Sequence, residues 1–391
     1  MIVAVADNWS AVVDEAIEFR RALHRAPELT WQEVNTAAAI RERLDDLGIS
    51  WRACAETGTV ATLAPGAPGR HIALRGDIDA LPIVEASGVE WSSTTEGRMH
   101  ACGHDGHTAT LMAAAGWLKA HEDRLPGPVT LLFQPAEEGG HGARAMIDDG
   151  ALDRVEAIFG WHNWPAIAFG KAACPDGPVM AGNGTFEIAI DGQGGHASQP
   201  ELCRDPLLAA AATVTALQQI VSRRISPQAP TVLSVTSLHA DGGSATGTPA
   251  VASLAGSFRL GDPDTRELMG KLITEIARNT AAAHGVNANV SIHPRYDATV
   301  NHEREAETYR QALVAELGDD ALGAGLRTPI MASEDFSYYL KEIPGAFALI
   351  GADDGQGNHH PCHSPEYDFN DRLIDVVGRI YARIAGVPVK E

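Results

Sequence analysis

The sequence predicts an α/β fold interrupted by a smaller α+β domain of ferredoxin-like form. Three observations lead there. Apolar strand-like runs alternate with helix-period segments over the first part of the chain, as in βαβ units with a largely parallel sheet. The texture changes near residues 174–183, and the order then becomes strand, helix, two strands, helix, strand, the split βαβ arrangement. The C-terminal stretch returns to helix, strand and helix. The expected division is residues 1–178 and 294–391 for the α/β domain and residues 179–293 for the insertion. A length of 391 residues suits two domains at about 150 residues each.

Taken in order, Val12, Val13, Ile17, Phe19 and Leu23 recur at helical spacing, so a helix is expected over residues 7–25, ended by Pro27. Thr30 with Glu33 has the form of a capping box for a second helix reaching about Leu47, with Gly48 as its C-terminal cap. Short β-rich segments at 60–63 and 71–74 lead into RGDIDALPI. A helix starting near His104 carries Leu111, Met112, Ala115 and Leu118. A buried strand at 129–133, a helix near 143–149 and a strand at 157–160 follow. The insertion is expected to hold strands at 186–190, 232–238, 253–260 and 289–293, with helices at 205–223 and 262–284. A helix at 303–317, a strand at 346–350 and a helix at 371–384 complete the chain.

Composition excludes several classes. Hydrophobic residues at 45% and charged residues at 21% rule out a disordered chain. Subtracting 51 acidic from 30 basic side chains leaves −21, which repels phosphate backbones and anionic lipid and so argues against nucleic-acid and membrane partners. The N-terminus lacks the pattern of a signal peptide, and no apolar run approaches the roughly 18–20 residues of a membrane span. Five scattered cysteines fit a reducing compartment, so a cytoplasmic location is expected. No P-loop, HExxH, GxSxG elbow or dinucleotide fingerprint is present, which leaves nucleotide, nicotinamide and serine chemistry without support.

Four short segments concentrate polar chemistry. MHACGHDGH places Cys102 and His104 on a loop entering a helix. FQPAEEGG presents Glu137 and Glu138 where a buried strand ends. FGWHNWP places His162 at the end of the next strand, and HHPCHSPEYDF carries His363 on a late Pro-rich loop. Ligands of open α/β sheets bind beyond the carboxyl ends of the strands, so these segments can converge on one crevice. Thiolate, imidazole and carboxylate are the protein ligands of divalent transition ions. Five of them exceed one tetrahedral site and suggest a pair of ions. Adjacent Glu137 and Glu138 suit a division of labour, one coordinating and the other moving a proton. Each residue also has a plain structural role available, a core cysteine or a satisfied buried histidine; it is their joint placement that points to metal.

These residues give the chain a close resemblance to the M20 metallopeptidase group, in its amidohydrolase branch of hippurate, indoleacetyl-amino acid and N-acyl amino acid hydrolases. The resemblance rests on ALHRAPELTWQE, RGDIDALPI, MHACGHDGHTA, FQPAEEG, GGHASQP, MASEDFSYYL and HSPEYDFND, in family order. It implies a two-metal exopeptidase-like catalytic domain with an inserted lid or dimerisation domain, and a homodimer through that insertion. It implies two divalent ions per subunit, zinc or manganese with cobalt or nickel as further candidates, held by Cys102, His104, Glu138, His162 and His363. The general base falls on Glu137, and Asp79 falls on an aspartate behind the metals. More distant members bind metal through a histidine where this chain has Asp77, so the ligand set shifts toward the cysteine motif. The resemblance also implies an oxyanion-stabilising, substrate-contacting role for His196, from its own or a partner subunit, and a substrate contact for Asn301. Arg259 is a candidate partner for a substrate carboxylate outside that set. The implied reaction is hydrolysis of an N-acyl amino acid to a carboxylate and a free amino acid. A dipeptidase or carboxypeptidase, a non-catalytic metal-stabilised binding protein and a Cys102 thiol hydrolase are the rival readings.

Overall fold

The computed structural model describes residues 8–390. The first expected helical residue and most of the N-terminal segment read for a leader lie outside them. The chain forms two compact units, residues 8–179, Val300–Arg327 and 335–390 in the first, and Met180–Thr299 with Thr328–Glu334 in the second.

The first unit is built on a seven-stranded sheet. Its order is Trp51–Cys54, Gly58–Leu63, Val129–Gln134, Ile72–Asp77, Ala157–Ala168, Gly345–Asp353 and Ala172–Ala173. The four consecutive strands from Val129–Gln134 to Gly345–Asp353 are parallel, and the edges on both sides are antiparallel. Their residues are buried almost without interruption, as expected of a parallel sheet covered on both faces. The helix His104–Ala120 is buried throughout its first fifteen residues and packs against Trp9–Arg25, Arg372–Ile384 and the strand Ile72–Asp77. Leu111, Leu118, Leu74, Phe159 and Tyr381 belong to its core.

Register sets the height of the site. Asp77 pairs with Gln134, so these two strands end side by side. Leu74 pairs with Phe159, and carrying that register on three residues brings Asp77 level with His162. The strand through His162 was expected to stop near residue 160; it runs on to Ala168 because Gly345–Asp353 continues to pair with it. His162 therefore sits within a strand, at the level where its neighbour ends.

The second unit has an antiparallel sheet in the order Thr231–Ala240, Val251–Leu260, Gly182–Asp191, Asn287–Pro294. Helices Pro206–Leu217 and Thr265–Ala283 pack on each other and on this sheet, which is the split βαβ topology. Phe186, Ile188, Phe258, Leu272 and Ile273 form a core of its own. The first helix starts at Pro206 because Asp205 accepts from the N–H groups of Leu207 and Leu208. The unit continues past the expected boundary at residue 293 to Thr299. Asn183 holds the chain there, accepting from the Arg295 and Tyr296 N–H groups at 3.0 and 2.9 Å.

A buried ionic cluster fastens the helix Trp9–Arg25 to the central helix. Arg20 Nε lies 2.8 Å from Asp105 Oδ2, and His24 Nδ1 lies 2.8 Å from the same oxygen. His24 Nε2 faces Glu85 Oε1 at 3.3 Å. Asp105 and Glu85 are both acceptors, so the ring donates from both nitrogens, with Arg20 Nη2 also 3.3 Å from Nδ1. Burial opposes that charge, but Asp105 outweighs it and raises the His24 pKa. Burial likewise pushes the Glu85 carboxyl up, yet hydrogen bonds from His24, Ser87 and the Ser93 N–H outweigh it and hold the group at about 2. A depressed carboxylate stabilises the fold above its unfolded value near 4.5, and that contribution disappears as pH falls toward 2. Glu85→Gln is expected to lower stability at pH 7 by about 2 kcal/mol. Urea unfolding at several pH values should show the deficit shrinking between pH 4.5 and 2; a pH-independent deficit would contradict this account.

Candidate metal centre

The Asp79 carboxylate, just beyond the strand Ile72–Asp77, organises the centre. Its Oδ1 accepts from the Glu137 N–H at 3.1 Å and its Oδ2 from the Glu138 N–H at 3.0 Å. Thr30 Oγ1 donates to Oδ2 at 2.9 Å. His104 Nδ1 lies 3.0 Å from the Asp79 carbonyl oxygen and 3.1 Å from Oδ1. Both of those are acceptors, so Nδ1 carries the proton and Nε2 is the nitrogen left to face the centre. Thr30 and Glu33 were expected to form a capping box, and they do not. Thr30 is engaged by Asp79, while Glu33 accepts from the Trp31 and Ala136 N–H groups at 3.0 Å each. The helix that follows, Val34–Asp46, is not capped by Glu33 at its N-cap; the Glu28 carboxylate instead accepts from the Asn35 and Thr36 N–H groups at 3.2 and 2.8 Å.

Five expected ligands come together. Cys102, His104 and His162 place one ligand atom each within 4.8 Å of one another, and so do Cys102, Glu138 and His363. Cys102 is common to both groups. His104, Glu137 and Glu138 form a further group on the same criterion. His162 Nδ1 donates to the Asn163 carbonyl oxygen at 2.7 Å, which leaves Nε2 facing Cys102 Sγ at 3.3 Å. His363 Nε2 lies 3.1 Å from Glu138 Oε1. His363 has a backbone φ of 69°, a costly conformation for a non-glycine residue, and is held in it by its N–H donating to the Ala101 carbonyl at 2.7 Å. Gly103 sits between two of the ligands with φ 92°, and a Cβ there would lie 2.4 Å from Asn163 Oδ1.

Two buried lone-pair atoms test whether a cation belongs here. His104 Nε2 is buried with no hydrogen-bond partner, and Glu138 Oε1 is buried with only the half-exposed His363 Nε2 beside it at 3.1 Å, a costly state for polar atoms. Both atoms belong to ligand groups, and a divalent ion satisfies both at once. Soft thiolate and imidazole alongside carboxylate suit a first-row transition ion. The donor set fits the group.

Sequence reasoning missed the layer behind these ligands. Asp77 Oδ1 faces His107 Nδ1 at 2.6 Å, and His107 Nε2 faces Asn163 Oδ1 at 2.7 Å. Asn163 Nδ2 reaches Tyr367 Oη at 2.7 Å. Burial opposes charge on Asp77, but Arg75, His104 and His107 hold its carboxyl well below the usual range. The spacing of His107, three residues after His104 on one helix face, was the available signal. Of the expected substrate contacts, Asn301 is buried. It donates to the Pro175 and Phe347 carbonyls at 3.0 Å each and accepts from the Phe347 N–H at 2.7 Å. No donor is left on its amide for a substrate, which corrects that expectation. His196 lies in the second unit, exposed. The Ser198 N–H donates to its Nδ1 at 3.1 Å, leaving Nε2 as the outward donor in the neutral ring. Arg259, also in that unit, donates to Ser333 Oγ at 2.8 Å, and burial with neighbouring Arg295 lowers its pKa.

The chain belongs to peptidase family M20/M25/M40, whose model matches residues 73–386. Within it, the chain falls in the amidohydrolase branch. It is 40% identical over 388 residues to IAA-amino acid hydrolase ILR1-like 2 of Arabidopsis thaliana, covering 97% of this chain and 86% of that protein. It is 40% identical over 361 residues to N-acetyl-L-cysteine deacetylase of Bacillus subtilis, covering 91% and 84%. Among solved structures, the Bacillus subtilis YXEP protein, a dinuclear metal binding peptidase from the M20 family, aligns with a TM-score of 0.84 at 31% identity, over 96% of this chain and 98% of that one.

Burial works against charge on His104, yet Asp77, Asp79 and Glu138 together outweigh it and hold the ring up at about 10. Contact with the Cys362 thiol and burial push the Cys102 thiol well up. Cation loading must therefore displace protons from both. Loss of a proton becomes easier as pH rises, so affinity for the first ion should tighten at least about tenfold from pH 6.5 to 7.5. Metal titrations of stripped protein at the two pH values check this, and equal affinities would contradict it.

Proposed function

We propose that this enzyme hydrolyses the amide bond of N-acyl amino acids of the acetyl, benzoyl or arylacetyl type, releasing a carboxylate and a free amino acid. The observation that carries the reading is the gathering of Cys102, His104, Glu138, His162 and His363 around the unpartnered buried Nε2 of His104, with buried Glu137 in the same cluster. The names of the relatives support the substrate class.

The five residues would hold two divalent ions, with zinc or manganese the leading candidates. Such ions polarise a carbonyl and make water acidic enough to attack near neutral pH. Glu137 takes the proton of the attacking water and returns it to the departing amine nitrogen. Asp79 fixes the backbone that carries Glu137 and the ring that carries the His104 lone pair. His196 donates from Nε2 to the oxygen that becomes negative as water adds. The second unit serves as the lid that brings this donor and as the surface for a homodimer. The five free cysteines support a reducing, cytoplasmic setting for this work.

Glu137→Gln is expected to reduce kcat on N-acetyl- and N-benzoyl-amino acids by about 10²–10⁴-fold. Metal content, read by elemental analysis, should stay unchanged. Near-wild-type turnover in that variant would remove Glu137 as the base. Unblocked dipeptides in the same panel separate this activity from a dipeptidase.

A further inference from the structure

Of the five cysteines, Cys362 alone is not buried, and neither the proposed reaction nor the ligand set uses it. It lies directly against the centre. The His363 N–H donates to the Ala101 carbonyl at 2.7 Å, which lays the backbone around Cys362 alongside that of Cys102. Cys362 Sγ lies 4.0 Å from the Cys102 carbonyl oxygen and 4.0 Å from that of Asn163. Asn163 Nδ2 donates to it at 3.6 Å. Cys362 Sγ therefore lies against the main chain of Cys102 itself, on a segment tied to the one before Cys102 by the His363–Ala101 hydrogen bond.

We propose that Cys362 and Cys102 are a thiol-oxidation site, forming a reversible disulfide in the metal-free enzyme and thereby removing the sulfur shared by both groups of candidate ligands. This rests on the reading of Cys102 as a ligand. Hydrogen peroxide, or another two-electron peroxide oxidant, reaches the partly exposed Cys362 first. Its S–H attacks one peroxide oxygen, the O–O bond breaks, and Cys362 sulfenic acid and one water result. The Cys102 sulfur then attacks the sulfenic sulfur; the S–S bond forms, the S–O bond breaks, and the oxygen leaves as a second water with the thiol proton. Sulfur has lost two electrons and peroxide has gained them. A bound cation occupies the Cys102 sulfur and blocks the second step, so the pair responds to oxidant and to metal supply together. A dithiol reductant restores both thiols by exchange.

The test uses the full chain in two forms, metal-loaded and chelator-stripped, each treated with hydrogen peroxide and digested without reduction. Mass spectrometry should find the Cys102–Cys362 linked peptide at least tenfold more abundant from stripped protein. The oxidised protein should fail to take up metal until dithiothreitol is added. Cys362→Ser should bind as much metal as wild type when untreated, give no linked peptide, and show no dithiothreitol-reversible loss of metal uptake. If untreated wild type holds its ions but stripped protein gives no such peptide, or links Cys102 elsewhere, this proposal alone is overturned. If Cys362→Ser loses metal uptake reversibly as wild type does, it is overturned too. Untreated protein that holds no transition metal overturns the metal-centre reading and this proposal with it.

Discussion

The Asp79 carboxylate is the constraint on which the centre depends. It fixes the Glu137 and Glu138 N–H groups, accepts from Thr30, and meets the inner nitrogen of His104. One anion thereby orients a helix N-terminus and a strand-end loop that lie 25 and 58 positions away in sequence. The loop preceding Glu137 would not settle there on local preference. Ala136 has a φ of 55°, which a non-glycine residue adopts only when its surroundings impose it. Here the imposition is visible: Glu33 accepts from the Ala136 N–H, and Asp79 takes the next two.

That dependence explains which parts of the fold were legible in sequence and which were not. Helix 303–317 and the parallel strands could be read because apolar periodicity and burial decide them. The capping box at Thr30 and Glu33 could not, because both side chains satisfy groups more than 40 residues away instead of the adjacent helix. His162 was assigned correctly to a strand region but wrongly to its end, since the length of that strand is set by a partner nearly 190 residues later. A local pattern carries no information about such a partner.

The site residues divide the same way. Cys102, His104, Glu138, His162 and His363 were legible because their chemical types are rare in combination and fall in motifs, and the structure brings them together. Asn301 was misread because a motif position says nothing about where an amide points; three backbone groups occupy it. His107 and Asn163 were overlooked because a histidine and an asparagine inside apolar elements look like core polar residues until their mutual distances are known. Asp77 is a buried anion held down by Arg75 and two histidines, and its carboxylate lies within reach of the ligand atoms of His104 and His107.

Charge completes the account of why the centre takes this form. Burying an anion costs several kcal/mol unless a partner compensates it. Asp77 has Arg75 and His107, and Asp105 has Arg20 and His24. The Glu138 carboxylate faces only the half-exposed His363 among the ion pairs of the described residues, and Cys102 would add a second negative charge once deprotonated. The protein thus compensates its outer carboxylates with its own cations and leaves the inner set to something else. The raised pKa of His104 is the same imbalance seen from the other side, because the ring captures a proton where a larger positive charge is called for. Proton and cation therefore compete for one lone pair, and a thiol that can be oxidised away beside it makes that competition sensitive to a third partner.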